Sequence, residues 1–220
     1  MINHHDSWTH HLPPEILTTV ASNLEVDTSL VTATHVCHLW RTTLLSSPRL
    51  WSHLDFTNEE RALVFLERSK SAPLVVNLVD IEDPSEIDGD LLNEIATRVT
   101  TLRAVHGPLL DELLTQPTLT LEVLEVIETG ELPPKSPAHL PSLTSLVIYG
   151  LDPLRFNVPL LTSFCLNNNP INAPQEWAAS VLLEFLRNRP LLEAISLRCD
   201  VRPDSNEVLS LPFLRSFTHE

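Results

Sequence analysis

The sequence predicts a mixed fold of the α+β or α/β-repeat class, in which a small N-terminal helical module precedes an irregular array of strands. Two observations predict it: apolar residues recur at helical spacing early in the chain, and a short apolar pattern recurs throughout the later part. We divide the chain accordingly. The segments are a flexible N-terminal tail (1–11), the helical module (12–56), a linking helix, strand and acidic segment (57–98), and the repeat array (99–220).

The composition excludes several classes of function. A formal net charge of −15 repels polyanions, so neither nucleic acid nor an anionic membrane is expected as a partner. Only 4 glycines accompany 18 prolines, and loops that cradle phosphate need closely spaced glycines, so no nucleotide cofactor is expected. The sequence has no apolar run of the roughly 18 residues that span a bilayer, and its first residues do not resemble a secretory signal.

Two helical stretches make up the predicted module. The first has an apolar stripe at Leu12, Ile16, Leu17, Val20 and Leu24, with Pro13 and Pro14 at its start, where a missing N–H costs little. The second begins after Asp27, with Thr28 and Ser29 available as caps, breaks once near His35 and ends at Pro48. Helices this short form only a very small core, so the module needs a neighbour, either the rest of the chain or another protein.

The same residues resemble a known family. The similarity rests on Leu12-Pro13-Pro14-Glu15-Ile16-Leu17, Leu24, Val36-Cys37-His38-Leu39-Trp40-Arg41 and Pro48-Arg49-Leu50-Trp51, which together resemble an F-box in their order and spacing. The continuation from Glu59 to Leu78, with Arg68-Ser69-Lys70-Ser71-Ala72-Pro73-Leu74, is similar to the segment that follows the F-box in many fungal proteins.

This resemblance implies a partner protein. F-box modules dock on the Skp-family adaptor of cullin–RING ubiquitin ligases, while the remainder of the chain selects a substrate. An apolar helix face with too little chain to cover it agrees with such docking. The alternative is that some of these residues, Trp40 above all, only pack the helices together. By the family's pattern, the adaptor-facing residues are Leu12, Pro13, Ile16, Leu17, Leu24, Val36 and Trp40.

An apolar-x-x-apolar-x-apolar pattern repeats through the later part of the chain. Successive copies are spaced by 22, 22, 18, 31 and 22 residues, mostly within the range of about 20 to 29 residues that is typical of leucine-rich repeats. We therefore predict an irregular leucine-rich-repeat solenoid of short strands and return segments; the alternative is an ordinary α/β domain with coincidental spacing. The copies are Val99/Leu102/Ala104, Leu121/Leu124/Val126, Leu143/Leu146/Ile148, Leu161/Phe164/Leu166, Leu192/Ile195/Leu197 and Leu214/Phe217/His219.

Other features of the repeats follow the same spacing. Proline stands two residues before the core in four copies, at Pro141, Pro159, Pro190 and Pro212. Turns are expected at Gly107, Gly130 and Gly150, and the copy from Leu161 to Ile171 fits the longer consensus, including Asn169. The longest copy has room for a helix with one apolar face, formed by Trp177, Val181, Leu182, Phe185 and Leu186.

Strand periodicity assigns the residues between the core leucines to the opposite, concave face of the sheet. On that face Val105, Ile127, Val147 and Tyr149 form an apolar strip, with Arg103 and Glu125 beside it. Such a strip is typical of a protein or peptide groove, and these six residues are the predicted target-binding residues. The alternative is that another part of the chain covers the strip.

The remaining polar clusters do not predict an active site or a metal centre. The acidic run from Asp80 to Glu94 does not have EF-hand spacing, and no second ligand pair follows His35-x-Cys37-His38. His4, His5, His10 and His11 lie in the predicted tail, and no motif places a histidine to activate Cys165. Three widely spaced cysteines (Cys37, Cys165 and Cys199) favour a reducing compartment, the cytoplasm or the nucleus.

Three hypotheses of function follow. The first is a non-catalytic substrate receptor of a cullin–RING ubiquitin ligase, with the F-box on the Skp-family adaptor and the repeats on a target protein. The second is a repeat scaffold for protein interactions without a role in ubiquitin transfer. An independent enzyme comes third, since no catalytic motif supports it.

Overall fold

The computed structural model describes residues 12–24, 28–79, 81, 87, 89–117, 119–128, 137–168, 176–204 and 209–219. The predicted tail 1–11 with its four histidines lies outside these residues, as do Gly130, Asn169 and most of the acidic run. Two compact units make up the chain, Met1–Val75 (unit 1) and Val76–Glu220 (unit 2), and each is described by itself. The predicted linking segment 57–98 is divided between them.

Unit 1 is mainly helical. Pro14 occupies the first helical position of its first helix, where no N–H is needed. The predicted break near His35 is confirmed, because one helix ends at Ala33 and the next begins at His38. The elements are α1 (Pro14–Ala21), α2 (Thr28–Ala33), α3 (His38–Leu45), a 3-10 helix (Pro48–Trp51), β1 (His53–Asp55), α4 (Glu59–Ser69) and β2 (Leu74–Leu78), the last of which crosses the boundary.

Trp51 is the centre of the unit 1 core. Its side chain is fully buried, and its indole Nε1 donates a hydrogen bond of 2.9 Å to the carbonyl of Leu44 in α3. Phe65 of α4 meets the indole ring edge-to-face at 5.0 Å, and the guanidinium of Arg68 lies 4.6 Å from the ring centre. Helix α4 therefore completes the core around the last residues of the predicted module, beyond its boundary at residue 56.

Unit 2 combines helices with a parallel sheet. Its principal strands lie in the order β3-β4-β6-β8-β10-β12, and each neighbouring pair is parallel. Two smaller parallel pairs, β5 with β7 and β9 with β11, accompany this sheet. The elements are α5 (Gly89–Ala96), β3 (Val99–Val105), α6 (Pro108–Leu114), β4 (Val123–Ile127), β5 (Ala138–His139), β6 (Ser145–Tyr149), a 3-10 helix (Pro153–Arg155), β7 (Phe156–Asn157), β8 (Ser163–Asn167), β9 (Glu176–Ala178), α7 (Ala179–Arg187), β10 (Ala194–Arg198), β11 (Asp200–Arg202) and β12 (Ser216–His219).

The strand register aligns the apolar pattern of the sequence across the sheet. The second position of each copy lies opposite the second position of the next, and the third positions align in the same way. Helix α7 packs on the same face, with Phe185 4.6 Å from Phe164. The second-position row is Leu102, Leu124, Leu146, Phe164, Ile195 and Phe217.

A proline turn of one kind precedes four of these strands. In each turn the amide of the first core residue donates to the carbonyl three residues earlier, at 3.2 to 3.4 Å. Proline follows that carbonyl directly, where its fixed φ suits the second position of a turn. The four donor–acceptor pairs are Leu143–Leu140, Leu161–Val158, Leu192–Arg189 and Leu214–Leu211.

A buried arginine holds the turn before β10. The guanidinium of Arg189 donates to the carbonyl of Phe156 at 2.6 Å and to the carbonyl of Phe185 in α7, and it stacks over the Phe185 ring. Burial lowers the pKa of Arg189 to about 10, so the group remains charged at neutral pH. One guanidinium therefore links the turn to helix α7 and to the segment at Phe156.

Two predictions about local structure need correction or detail. Trp177 does not lie on the face of a helix: it belongs to β9, because Ala178 has extended dihedral angles (φ −70°, ψ 131°) and α7 begins at Ala179. Gly150 directly follows β6 and has a φ of 75°, a conformation that favours glycine over residues with a Cβ. Among the helices that the structure describes, none has the length and apolar character needed to cross a membrane.

Candidate functional site

Helix α1 divides its apolar residues between the core and the surface. The carbonyl of Pro13, the residue before the helix, accepts from the amides of Ile16 and Leu17, so α1 begins at Pro14. Leu17 is completely buried, whereas Ile16 is 48% exposed and Val20 is 44% exposed. Ile16 and Val20 lie four residues apart and share one face of the helix. This half of the predicted apolar stripe is therefore open to a partner.

The other predicted adaptor-facing residues have varied surroundings. Val36, in the connection between α2 and α3, is 60% exposed, and Pro13 is exposed as well. Leu12, Leu24 and Trp40 are half-buried. The indole Nε1 of Trp40 is shielded from solvent and has no acceptor among the described residues, so this atom is not presented to a partner.

For Leu17 and Val20 the structure differs from the predicted set of adaptor-facing residues. The buried side chain of Leu17 fills the unit 1 core and offers no surface for direct contact with another protein. Val20 was not among the predicted adaptor-facing residues although it belongs to the helical stripe. Its spacing from Ile16 is the signal that identifies it.

In unit 2 the strand register places the predicted target-binding residues in two rows across the sheet. Arg103, Glu125 and Val147 are successive partners on β3, β4 and β6. Val105 pairs with Ile127, which in turn pairs with Tyr149, in the next row of the same face. The alternating burial along each strand separates this face from the one that holds the leucines.

Charged and polar side chains interact across three strands of this face. Arg103 Nε donates to Glu125 Oε1 at 2.9 Å, and the charge of Glu125 also acts on the hydroxyl of Tyr149. Burial raises the pKa of Tyr149, and the negative charge of Glu125 raises it further. Glu125 therefore binds a guanidinium on one side and raises the pKa of a tyrosine on the other.

The apolar members of the strip differ in accessibility. Val105, Val147 and Tyr149 are half-buried, but Ile127 is buried. Asn167, the register partner of Tyr149 on β8, is also buried. The accessible part of the strip is therefore smaller than the pattern predicts and is centred on Val147 and Tyr149.

The cysteines, the acidic groups and one cavity of the described residues have the following surroundings. Cys165 donates a weak hydrogen bond to Asn167 Oδ1 at 3.6 Å, and burial raises the pKa of Cys199 to about 11, which keeps that thiol protonated. Across the described part of the chain, no three His, Cys, Asp or Glu side chains are grouped closely enough to hold a metal ion. A cavity of about 760 Å³ beside α6 is lined largely by proline and leucine, with Asp111, Glu112 and His139 as its charged or titratable groups.

Comparison with known proteins bears on the first unit. No curated protein matches the sequence. The F-box-like family matches residues 9–57, a range that contains α1, α2, α3, the 3-10 helix and β1. The matched range includes every predicted adaptor-facing residue, from Leu12 to Trp40. Residues 9–57 are therefore an F-box-like domain.

Proposed function

We propose that this protein is the substrate-recognition subunit of an SCF-type cullin–RING ubiquitin ligase, and that it is not itself an enzyme. In this proposal residues 9–57 dock on the Skp-family adaptor and unit 2 binds the target protein. The F-box-like match, together with the exposed apolar residues of the same segment, is the observation that carries it. The contribution to ubiquitin transfer is proximity, because a bound target is held near the conjugating enzyme.

The proposed adaptor surface consists of the accessible apolar residues. Ile16, Val20 and Val36 supply its exposed side chains, and Leu12 and Pro13 directly precede α1. Leu17 acts indirectly by anchoring α1 to the core, and half-buried Leu24 and Trp40 complete the proposed set. Exposed aliphatic side chains favour docking in an apolar groove, since burying each one stabilises a complex.

For unit 2 we propose an irregular leucine-rich-repeat array whose face opposite the core receives the target. The recurring proline turns and the aligned apolar rows support a repeat of one structural unit. Val147 and Tyr149, with the charged pair of Arg103 and Glu125, would form the centre of the target surface. We also propose that the protein acts in the cytoplasm or the nucleus, where cysteines remain reduced.

The adaptor contact is tested with the double variant Ile16→Ala, Val36→Ala. Both side chains are about half exposed, so the fold should tolerate their loss, while an apolar groove would lose two contacts of about 1 to 1.5 kcal/mol each. We expect the affinity for a purified Skp-family adaptor, measured by calorimetry, to fall about 30- to 150-fold. The matched control is Leu63→Ala, Val64→Ala, which shortens two exposed residues of α4 and should leave the affinity unchanged.

Two results would contradict the proposal. Equal adaptor binding by the two double variants would remove the assigned surface. Failure of the unaltered protein to bind the adaptor would favour an interaction scaffold without a ligase role.

A further inference from the structure

Unit 2 contains a cavity of about 760 Å³ beside helix α6. Two successive return segments form its described walls: the segment between β3 and β4 supplies residues 108–119, and the segment between β4 and β6 supplies residues 137–141. The volume lies within the range of about 300 to 1,000 Å³ that is typical of sites enclosing a small ligand. The cavity is therefore large enough to be a binding site.

Four prolines make the walls of this cavity apolar and stiff. Pro108 begins α6 and Pro117 follows the helix, while Pro137 and Pro141 stand on either side of β5 in the other wall. All four prolines are exposed. Because proline has a fixed φ and no backbone N–H, these walls present apolar surface and lose little conformational freedom when a ligand binds.

The two carboxylates of the described lining belong to one helix. Asp111 and Glu112 are neighbours on α6, and no lysine or arginine occurs among the described lining residues. Asp111 lies 3.7 Å from Nε2 of buried His106. Glu112 is exposed, and no described residue forms an ion pair with its carboxylate. Glu112 can therefore receive a cation, and the charge of Asp111 adds to the negative potential there.

Uncharged polar groups lie in both walls. Nδ2 of Asn157, on strand β7, lies 3.1 Å from Nδ1 of His139 on β5 and donates to it, since an amide nitrogen can only donate. A neutral His139 ring then holds its proton on Nε2 and can donate from that atom. The hydroxyl of Thr115 donates to the carbonyl of Glu112 and retains its capacity to accept, and Gln116 adds an amide. Donors and acceptors of this kind suit the peptide groups of an extended chain.

Volume and charge together indicate what kind of molecule the cavity accepts. A cavity of this volume encloses a few residues of a chain and not a folded surface, which would need about 800 Å² of contact. The net charge of −15 attracts basic partners and repels acidic ones, a second copy of this chain included. Lysine and arginine combine an aliphatic stem with a charged head, which suits apolar walls beside a carboxylate.

We propose that this cavity binds a short extended segment of a partner protein in which a basic residue stands between apolar residues. The basic head pairs with Glu112, and the apolar neighbours pack on the prolines and on Leu114 and Leu119. The walls are return segments and not the strands β3, β4 and β6, so the cavity is distinct from the target surface proposed above. Binding here requires neither that surface nor the F-box-like domain.

The probe is a labelled peptide, GSLRLSG, whose binding to the full 220-residue chain is followed by fluorescence anisotropy. We expect saturable binding that falls at least tenfold for GSLELSG, which reverses the charge, and for GSSRSSG, which removes the apolar neighbours. Glu112→Gln should lower the affinity for GSLRLSG at least fivefold, and Leu119→Ala, which shortens an apolar wall, about fivefold. Glu122→Gln is the matched control: it removes the same charge at an exposed position outside the described lining and should leave the affinity unchanged.

Several results would overturn the proposal. These are no saturable binding of GSLRLSG, equal binding of GSSRSSG, or equal affinity of Glu112→Gln and Glu122→Gln in chains with native circular dichroism. The chain also has a basic residue of its own close in sequence to the cavity, Lys135, which lies outside the described residues. Peptide binding by the variant Lys135→Gln alone would assign the cavity to that lysine and would overturn the proposal as well.

Discussion

Glu125 interacts with two other residues of the predicted target face. It accepts a hydrogen bond from Arg103 on β3 and its charge acts on Tyr149 on β6, while its own backbone lies between them in β4. Each of these contacts is partly exposed, so each contributes little to stability by itself. They connect a guanidinium with the only tyrosine of the chain, within the target surface proposed above.

The ionisation of Tyr149 reports this network directly, because no other tyrosine contributes to the signal. Burial and the charge of Glu125 raise its pKa, so Glu125→Gln should lower the pKa towards the ordinary tyrosine value. Ultraviolet titration of phenolate absorbance measures the change. Glu122→Gln, at an exposed position before β4, is the control and should titrate like the unaltered protein. An unchanged pKa in Glu125→Gln would show that the charge of Glu125 does not act on the hydroxyl.

The direction of the pH effect on stability follows from the same shift. A tyrosine whose pKa is higher in the folded state favours folding while the hydroxyl is protonated. That contribution is complete below the pKa of the unfolded chain and is lost as the pH rises through the folded pKa. Removing the charge of Glu125 should therefore reduce the alkaline loss of stability.

At the scale of elements, strand β6 separates core and surface residue by residue. Leu146 is fully buried and aligns with Leu124 and Phe164, whereas its neighbour Val147 lies on the opposite, half-buried face. Leu146→Ala should destabilise the protein by about 2 to 5 kcal/mol, because it leaves a cavity in the leucine rows. Val147→Ala should cost about 1 kcal/mol or less, since only part of the side chain is buried. Chemical denaturation measures both, and equal losses would mean that the two faces are wrongly assigned.

The elements also show what a sequence can predict. The leucine rows were predictable because strand periodicity acts locally. The recurring position of the prolines was also visible in the sequence, and the conformational limits of proline explain the turns that the structure has there. The position of Trp177 in a strand was not predictable. Helix α7 begins only after Ala178, which is extended, and Ala178 has no side chain that could cap a helix and so mark its start in the sequence. Arg189 is a further example: its carbonyl partners, Phe156 and Phe185, are distant from each other in sequence and meet only in the fold.

The surfaces follow the same rule. The sequence identified the apolar stripe of α1 but not which half of it is buried, since Leu17 and Ile16 differ only in the packing of unit 1. Periodicity predicts which face a residue occupies, whereas exposure depends on whether a neighbouring element covers that face.

At the scale of the whole molecule, the core of unit 1 extends beyond the F-box-like domain. The F-box-like match ends at residue 57, but the core around Trp51 includes Phe65 and Arg68 of α4. A fragment that stops at residue 56 would expose the indole and lose its edge-to-face contact. A fragment of residues 1–78 keeps α4 and the whole of β2.

We expect the fragment 1–78 to unfold cooperatively on heating, followed by circular dichroism, and the fragment 1–56 to show no cooperative transition without a partner. Within 1–78, Phe65→Ala should cost about 3 to 5 kcal/mol and approach the behaviour of the shorter fragment, because it removes the aromatic side chain that packs on Trp51. Leu63→Ala, on the exposed side of the same helix, is the control and should change stability by less than about 1 kcal/mol. A cooperative, monomeric 1–56 fragment would show instead that the three short helices and Trp51 form a sufficient core without α4.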